Sequence, residues 1–92
     1  MKTPDIETAV RMYYEKAELT SSDIKALFDT KDTQTAKLKK QVKQRMAEMG
    51  AKSWLPNSIN TKVAFEVWGI DIEDFENRLK ALRRLKLYAE RT

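Results

Sequence analysis

The spacing of apolar residues predicts a chain of short helices. Apolar positions recur at intervals of three and four in five separate segments, which is the spacing that lines one face of a helix. Glycine and proline occur only twice each, and helix-forming residues dominate. No segment alternates long enough to predict a full strand, although residues 53–55 are expected to form a brief extended piece. The pattern therefore predicts an all-α fold with about five helices.

Polar residues that cap helices mark where these segments begin. Such residues precede all five segments: Thr3, Thr20, Asp32, Asn60 and Asp71. At the second segment, Thr20 with Asp23 predicts a capping box, and Leu19 with Ile24 predicts a hydrophobic staple. Gly50 and Gly69 follow the third and fourth segments, as expected of residues that end helices. In the first helix, Ile6, Val10, Tyr13 and Ala17 are expected to face the core.

The third predicted helix, which begins near residue 32 or 33 and ends at Gly50, has two contrasting faces. At 100° per residue, Val42, Met46 and Met49 lie within about 80° of Leu38, with Arg45 at the edge, and form the expected core face. The opposite face is polar and basic, and carries Thr33, Ala36, Lys37, Lys40, Lys43, Gln44 and Ala47. The lysines of this helix therefore form one coherent surface.

Positive charge is concentrated in the same region. The net charge of the chain is +4. Its length of 92 residues fits one small domain covering residues 1–92. Residues 31–52 carry seven basic and two acidic groups, whereas residues 1–30 carry four basic and six acidic groups. This asymmetry favours a polyanionic partner for the third helix.

The composition excludes several kinds of chemistry. The chain has no cysteine and no histidine, which removes disulfides, thiolate nucleophiles, zinc sites of the common types and Ser-His-Asp triads. We expect no catalytic residue, metal site, cofactor or small-molecule substrate. No apolar run approaches the roughly 20 residues that span a membrane, and the first residues lack the apolar core of a signal peptide. These features predict a cytoplasmic protein without a membrane partner.

The second and third helices have the spacing of a helix-turn-helix. Ile24, Phe28, Thr35 and Leu38 fall on positions that are buried in that motif. Asp29 stands where glycine is common, and aspartate tolerates positive φ better than most residues. Lys25 stands where alanine is common, which is a departure from the motif.

Two segments resemble small helix-turn-helix DNA-binding regulators of prophages and mobile elements. One is Leu-Thr-Ser-Ser-Asp-Ile-Lys-Ala-Leu-Phe at residues 19–28, followed by a helix rich in Lys and Thr. The other is Ala-Phe-Glu-Val-Trp-Gly-Ile-Asp at residues 64–71. The resemblance implies a sequence-specific, nucleoid-associated protein that binds double-stranded DNA. It would be a transcriptional regulator or an accessory factor in recombination or packaging, and not an enzyme.

The resemblance also implies which residues contact DNA. The third helix would enter the major groove, where Gln34 can pair with adenine and Lys37 or Lys40 can reach guanine. Thr33 or Ala36 can meet a thymine methyl group. The remaining expected contacts, several of them to phosphate, are Lys31, Lys39, Lys43 and Gln44.

The last predicted helix, residues 71–92, is basic and has more apolar residues than one packed stripe requires. We expect it to pack on the rest of the domain or to mediate a homodimer. The residues expected at a dimer seam are Leu79, Leu82, Leu85, Leu87 and Tyr88. An alternative function is a helical protein-interaction module that docks through this helix, with the lysines serving only solubility. RNA binding is a third possible function, but the sequence does not predict the sheet with stacking aromatic residues that is typical of RNA-binding domains.

Overall fold

A computed structural model describes the backbone of residues 3–91 and the side chains of residues 3–86. Within that part the chain forms five helices and two very short strands. In order these are α1 (Ile6–Glu15), β1 (Glu18–Leu19), α2 (Ser21–Phe28), α3 (Asp32–Met49), β2 (Ile59–Asn60), α4 (Thr61–Val67) and α5 (Ile72–Arg91). Helix accounts for 69% of the chain, so the prediction of a mostly helical fold with five helices is confirmed.

The two strands join the start of the domain to its second half. They pair antiparallel, with Leu19 opposite Ile59, and both side chains are fully buried. Next to this pair, the Thr61 hydroxyl donates to the Lys16 carbonyl at 2.7 Å. The prediction of an extended piece at residues 53–55 was wrong. The strands form instead at residues 18–19 and 59–60, where apolar side chains enter the core. Residues 53–55 lie in the loop before β2.

The start of α1 also differs from the prediction. Asp5 caps this helix instead of Thr3, and its carboxylate accepts hydrogen bonds from the backbone N–H (3.0 Å) and hydroxyl (2.7 Å) of Thr8. These bonds lower the pKa of Asp5. At α3, the predicted cap Asp32 is the first helical residue instead, and Lys31, one place earlier, occupies the N-cap without a side-chain hydrogen bond.

The predicted signals at the other helix ends are confirmed. Asp29, Gly50 and Gly69 all have positive φ, at 49°, 70° and 72°. Past α4, the N–H of Ile70 donates to the Phe65 carbonyl at 2.9 Å, which is the bond of a Schellman stop. Local backbone requirements therefore set where α2, α3 and α4 end.

The capping box at the start of α2 is present. The Thr20 hydroxyl accepts from the Asp23 N–H, and the Asp23 carboxylate accepts from the Thr20 N–H at 2.9 Å. The same carboxylate accepts from the Lys16 ammonium at 2.5 Å. Burial alone would raise the pKa of Asp23, but the bonds from Lys16 and Thr20 outweigh it and lower this pKa below its ordinary 3.8.

This cap predicts a pH dependence of stability. Because the folded-state pKa of Asp23 is depressed, its carboxylate stabilises the fold above the unfolded-state pKa, and that contribution is lost as pH falls. We expect the urea midpoint to decrease as the pH falls from about 5 to about 2, through the folded-state pKa of Asp23, and to decrease less in Asp23→Asn. Equal losses in the two proteins would contradict this role for Asp23.

The core is formed where α2, α3 and α4 meet over the strand pair. Ile24 and Val42 are completely buried. The rings of Phe28 and Trp68 pack edge to face, with their centroids 5.1 Å apart. From α1, Ala9 and Met12 are the most buried residues, whereas the predicted face of Ile6, Val10 and Tyr13 is half-buried and Ala17 lies exposed beyond the helix. The buried side of α1 differs from the predicted face because α1 packs against both α4 and α5.

Candidate nucleic-acid interface

A short turn fixes the start of α3 against the end of α2. Asp29 adopts the left-handed conformation, and the Thr30 N–H then donates to the Lys25 carbonyl at 3.4 Å. The Lys25 ammonium pairs with the Asp32 carboxylate across the turn. The two helices also share core contacts, so the orientation of α3 is set at its first turn and along its buried face.

The buried face of α3 largely follows the predicted pattern. Thr35, Leu38, Val42 and Met46 are buried, and the Thr35 hydroxyl donates to the Lys31 carbonyl at 2.9 Å. Met49 was predicted to be part of this face, but it is 50% exposed. It lies in the last turn of α3, directly before the chain turns away at Gly50.

The residues predicted to contact DNA are mostly on the opposite, solvent-facing side. Gln34 and Lys39 are half-buried. The exposed members are Lys31, Thr33, Ala36, Lys37, Lys40, Lys43 and Gln44. We call Thr33, Ala36, Lys37, Lys40, Lys43 and Gln44 the lysine face. Within the described residues, none of its three ammonium groups forms an ion pair with a carboxylate. Its positive charge is therefore open to a partner.

Lys39 differs from the other lysines of α3. Its ammonium donates to the Ser21 hydroxyl at 3.3 Å, at the start of α2. Burial lowers the pKa of Lys39, and the nearby positive charge of Lys43 lowers it further. Lys39 lies in an open groove of about 380 Å³, which is also lined by Thr20, Ser21, Ser22, Leu55, Pro56, Asn57 and Ser58. The hydrophobic pattern gave no signal for this groove, because its walls are more than ten residues apart in sequence.

The connector at residues 51–58, which we call the Trp54 loop, presents its large apolar side chains to solvent. Trp54 is 87% and Leu55 57% exposed, so these apolar side chains do not attach the loop to the body. Polar bonds hold the loop instead. The Trp54 N–H donates to the Glu18 carboxylate at 2.6 Å, and the Ser53 hydroxyl donates to the Ser58 carbonyl at 2.8 Å.

Helix α5 packs along α1, and among the described residues its half-buried side chains lie in its first half. Ile72, Phe75 and Leu79 are half-buried, and the Tyr14 hydroxyl donates to the Glu76 carboxylate. Further along, the predicted seam residues Leu82 and Leu85 are 53% and 65% exposed. The side chains of the other two seam residues, Leu87 and Tyr88, lie outside the described part of the chain.

Charge is segregated along α5 and the residue before it. Four carboxylates lie at its start, on Asp71, Glu73, Asp74 and Glu76. Five basic side chains follow, on Arg78, Lys80, Arg83, Arg84 and Lys86, with no acidic group among residues 77–86. The exposed leucines therefore lie in the basic half.

Comparison with known proteins gives no match: no protein-family model, curated protein or solved structure is significantly similar to this chain. Among the described helices, none is both long and apolar enough to cross a membrane.

Proposed function

We propose that this protein binds double-stranded DNA sequence-specifically, with α2 and α3 acting as a helix-turn-helix and α3 lying in the major groove. The observation that carries the proposal is the lysine face, which is exposed, forms no ion pair within the described residues and lies opposite the buried side of α3. By its resemblance to regulators of prophages and mobile elements, the protein would act on the nucleoid as a transcriptional regulator or accessory factor. No catalytic step is proposed.

The dimensions and side chains of α3 suit this role. Its 18 residues extend about 27 Å, and the major groove admits an α-helix. Near its start, Lys37 and Lys40 can reach guanine acceptors, and the small side chains of Thr33 and Ala36 allow close approach to thymine methyl groups. Lys43, one turn further along, suits a phosphate contact.

The proposal is tested by the salt dependence of binding to duplex DNA. On a duplex of random sequence, where Lys37 and Lys40 have no chosen guanine and contact phosphate as Lys43 does, three such contacts should give a slope of log K against log salt of about −3 or steeper. Fluorescence anisotropy with a labelled random-sequence duplex measures this slope, starting at low salt. Absence of binding at low salt would contradict the proposal, as would binding that salt does not weaken.

A second candidate function, self-association through α5, is favoured by its exposed leucines and segregated charge. Two α5 helices placed antiparallel would bring the acidic start of one beside the basic half of the other. Leu82 and Leu85 would then be covered. A symmetric dimer formed in this way would present two copies of α3 and allow two half-sites to be read.

Substitution in α5 tests the dimer. We expect sedimentation equilibrium to give a mass that rises from monomer to dimer with concentration, and Leu82→Glu to remain monomeric, because a carboxylate would be buried in the seam. Asn77→Glu, which places the same charge on another exposed α5 position, is the matched control and should still dimerise. A wild-type protein that is monomeric up to high concentration would rule out a stable dimer.

A further inference from the structure

We infer that the Trp54 loop is a second DNA contact, in which the Trp54 indole, with Leu55 beside it, packs into the minor groove next to the major groove that holds α3. This inference rests on the proposed DNA-binding function and extends it from one helix to a two-groove contact. Nothing in the sequence pattern of α2 and α3 requires it. It follows from how the loop is held and from what surrounds it.

The first observation is that the exposed indole is displayed on a fixed loop. Trp54 is 87% exposed, yet its backbone N–H is tied to the Glu18 carboxylate at 2.6 Å. The loop is closed by the Ser53 bond to the Ser58 carbonyl and by the Ser58 hydroxyl bond to the Leu55 carbonyl at 3.2 Å. Holding a large apolar side chain in water in this way lowers the conformational cost of a later contact.

The second observation is the position of the loop beside the lysines of α3. Residues 55–58 share a groove with Lys39, and Lys39 is close enough to Lys43 for the charge of one to affect the other. Lys52 adds a further positive charge within the loop. The Glu18 carboxylate, which accepts from the Trp54 N–H, keeps its negative charge, so the two lysines, Lys39 and Lys52, outweigh this one acidic group. The surroundings of the exposed indole are thus suited to a polyanion.

Duplex DNA places the two grooves side by side, with a phosphate backbone between them. A helix in the major groove is bordered by a phosphate backbone, and the minor groove lies beyond that backbone. The serine hydroxyls at positions 21 and 22 and the Lys39 ammonium line the groove between α3 and the loop, and such donors bind phosphate. A side chain beyond them would then meet the minor groove. Apolar wedges between base steps and aromatic packing on bases are established ways for proteins to bind there and on exposed bases.

The fluorescence emission of Trp54 can be used to detect this contact. The chain has two tryptophans, so Trp68→Phe leaves Trp54 as the only indole. We expect its emission to change on titration with a duplex of about 20 base pairs. We also expect Trp54→Ala to weaken binding about tenfold with an unchanged salt slope, since an apolar contact releases no counterions. Trp54→Phe should recover part of the affinity.

The controls separate this inference from the proposed function. Tyr14→Ala, which removes another exposed aromatic side chain on α1, should bind DNA like the wild type. If Trp54→Ala binds like the wild type and the emission is constant while Lys37→Ala weakens binding, the inference is overturned and the proposed function stands. If the wild-type protein does not bind duplex DNA at all, both are overturned. Circular dichroism of each variant verifies that the fold is retained.

Discussion

Replacing Phe28 by alanine is expected to remove about 3–5 kcal/mol from the free energy of unfolding. Phe28 is 5% exposed, and its ring packs edge to face on Trp68 with the ring centroids 5.1 Å apart. It lies at the end of α2, where α2, α3 and α4 converge, so the cavity left by the ring would lie at the centre of the core. For a domain of this size the loss is a large part of a total of about 5–15 kcal/mol.

Urea unfolding followed by circular dichroism measures this loss. Trp54→Ala is the control, because removal of an 87% exposed side chain should change stability by no more than about 0.5 kcal/mol. A Phe28→Ala loss below about 1 kcal/mol would contradict the core arrangement, since it would mean that the ring is replaced by solvent or by other side chains without cost.

Joint substitution of Lys37 and Lys40 by alanine is expected to weaken duplex binding about 30- to 1000-fold. Both ammonium groups lie on the lysine face and neither is used in an ion pair within the described residues, so their removal should not disturb the fold. Each lost phosphate contact should also reduce the salt slope by about 1. If one of the two lysines reads a base instead, the loss will depend on the DNA sequence.

The matched control for this variant is Lys62→Ala with Lys80→Ala. It removes the same charge from exposed positions on α4 and α5. Anisotropy titrations of the two double variants over a range of salt concentrations separate a local contact from a general effect of net charge. Equal weakening in both double variants would show that only net charge matters for DNA binding. Wild-type affinity in the variant that combines Lys37→Ala and Lys40→Ala would exclude the lysine face as a DNA contact.

Sequence reasoning succeeded where structure is determined within a few residues. The box formed by Thr20 and Asp23 and the stops at Gly50 and Gly69 each depend on hydrogen bonds that span three to five residues. The buried side of α3 followed from the helical period, and so did the exposure of Lys37 and Lys40. These features require no knowledge of which elements pack together.

Sequence reasoning failed where the deciding partner is distant. The strand pair depends on burial of Leu19 with Ile59, and the anchor of Trp54 is Glu18, 36 residues away. The half-burial of Lys39 depends on Ser21, 18 residues away. A large apolar side chain such as that of Trp54 is highly buried on average, so its residue type gives no sign of its exposure. Only the arrangement of the loop shows that it faces solvent.

The most direct test of the central proposal is an NMR titration of the isotope-labelled protein with duplex DNA. We predict that the largest amide shift changes will occur along the lysine face, at Thr33, Ala36, Lys37 and Lys40, with little change at Lys62 on α4. Shift changes confined to α5, or none at DNA concentrations well above that of the protein, would contradict the proposal that α3 binds DNA.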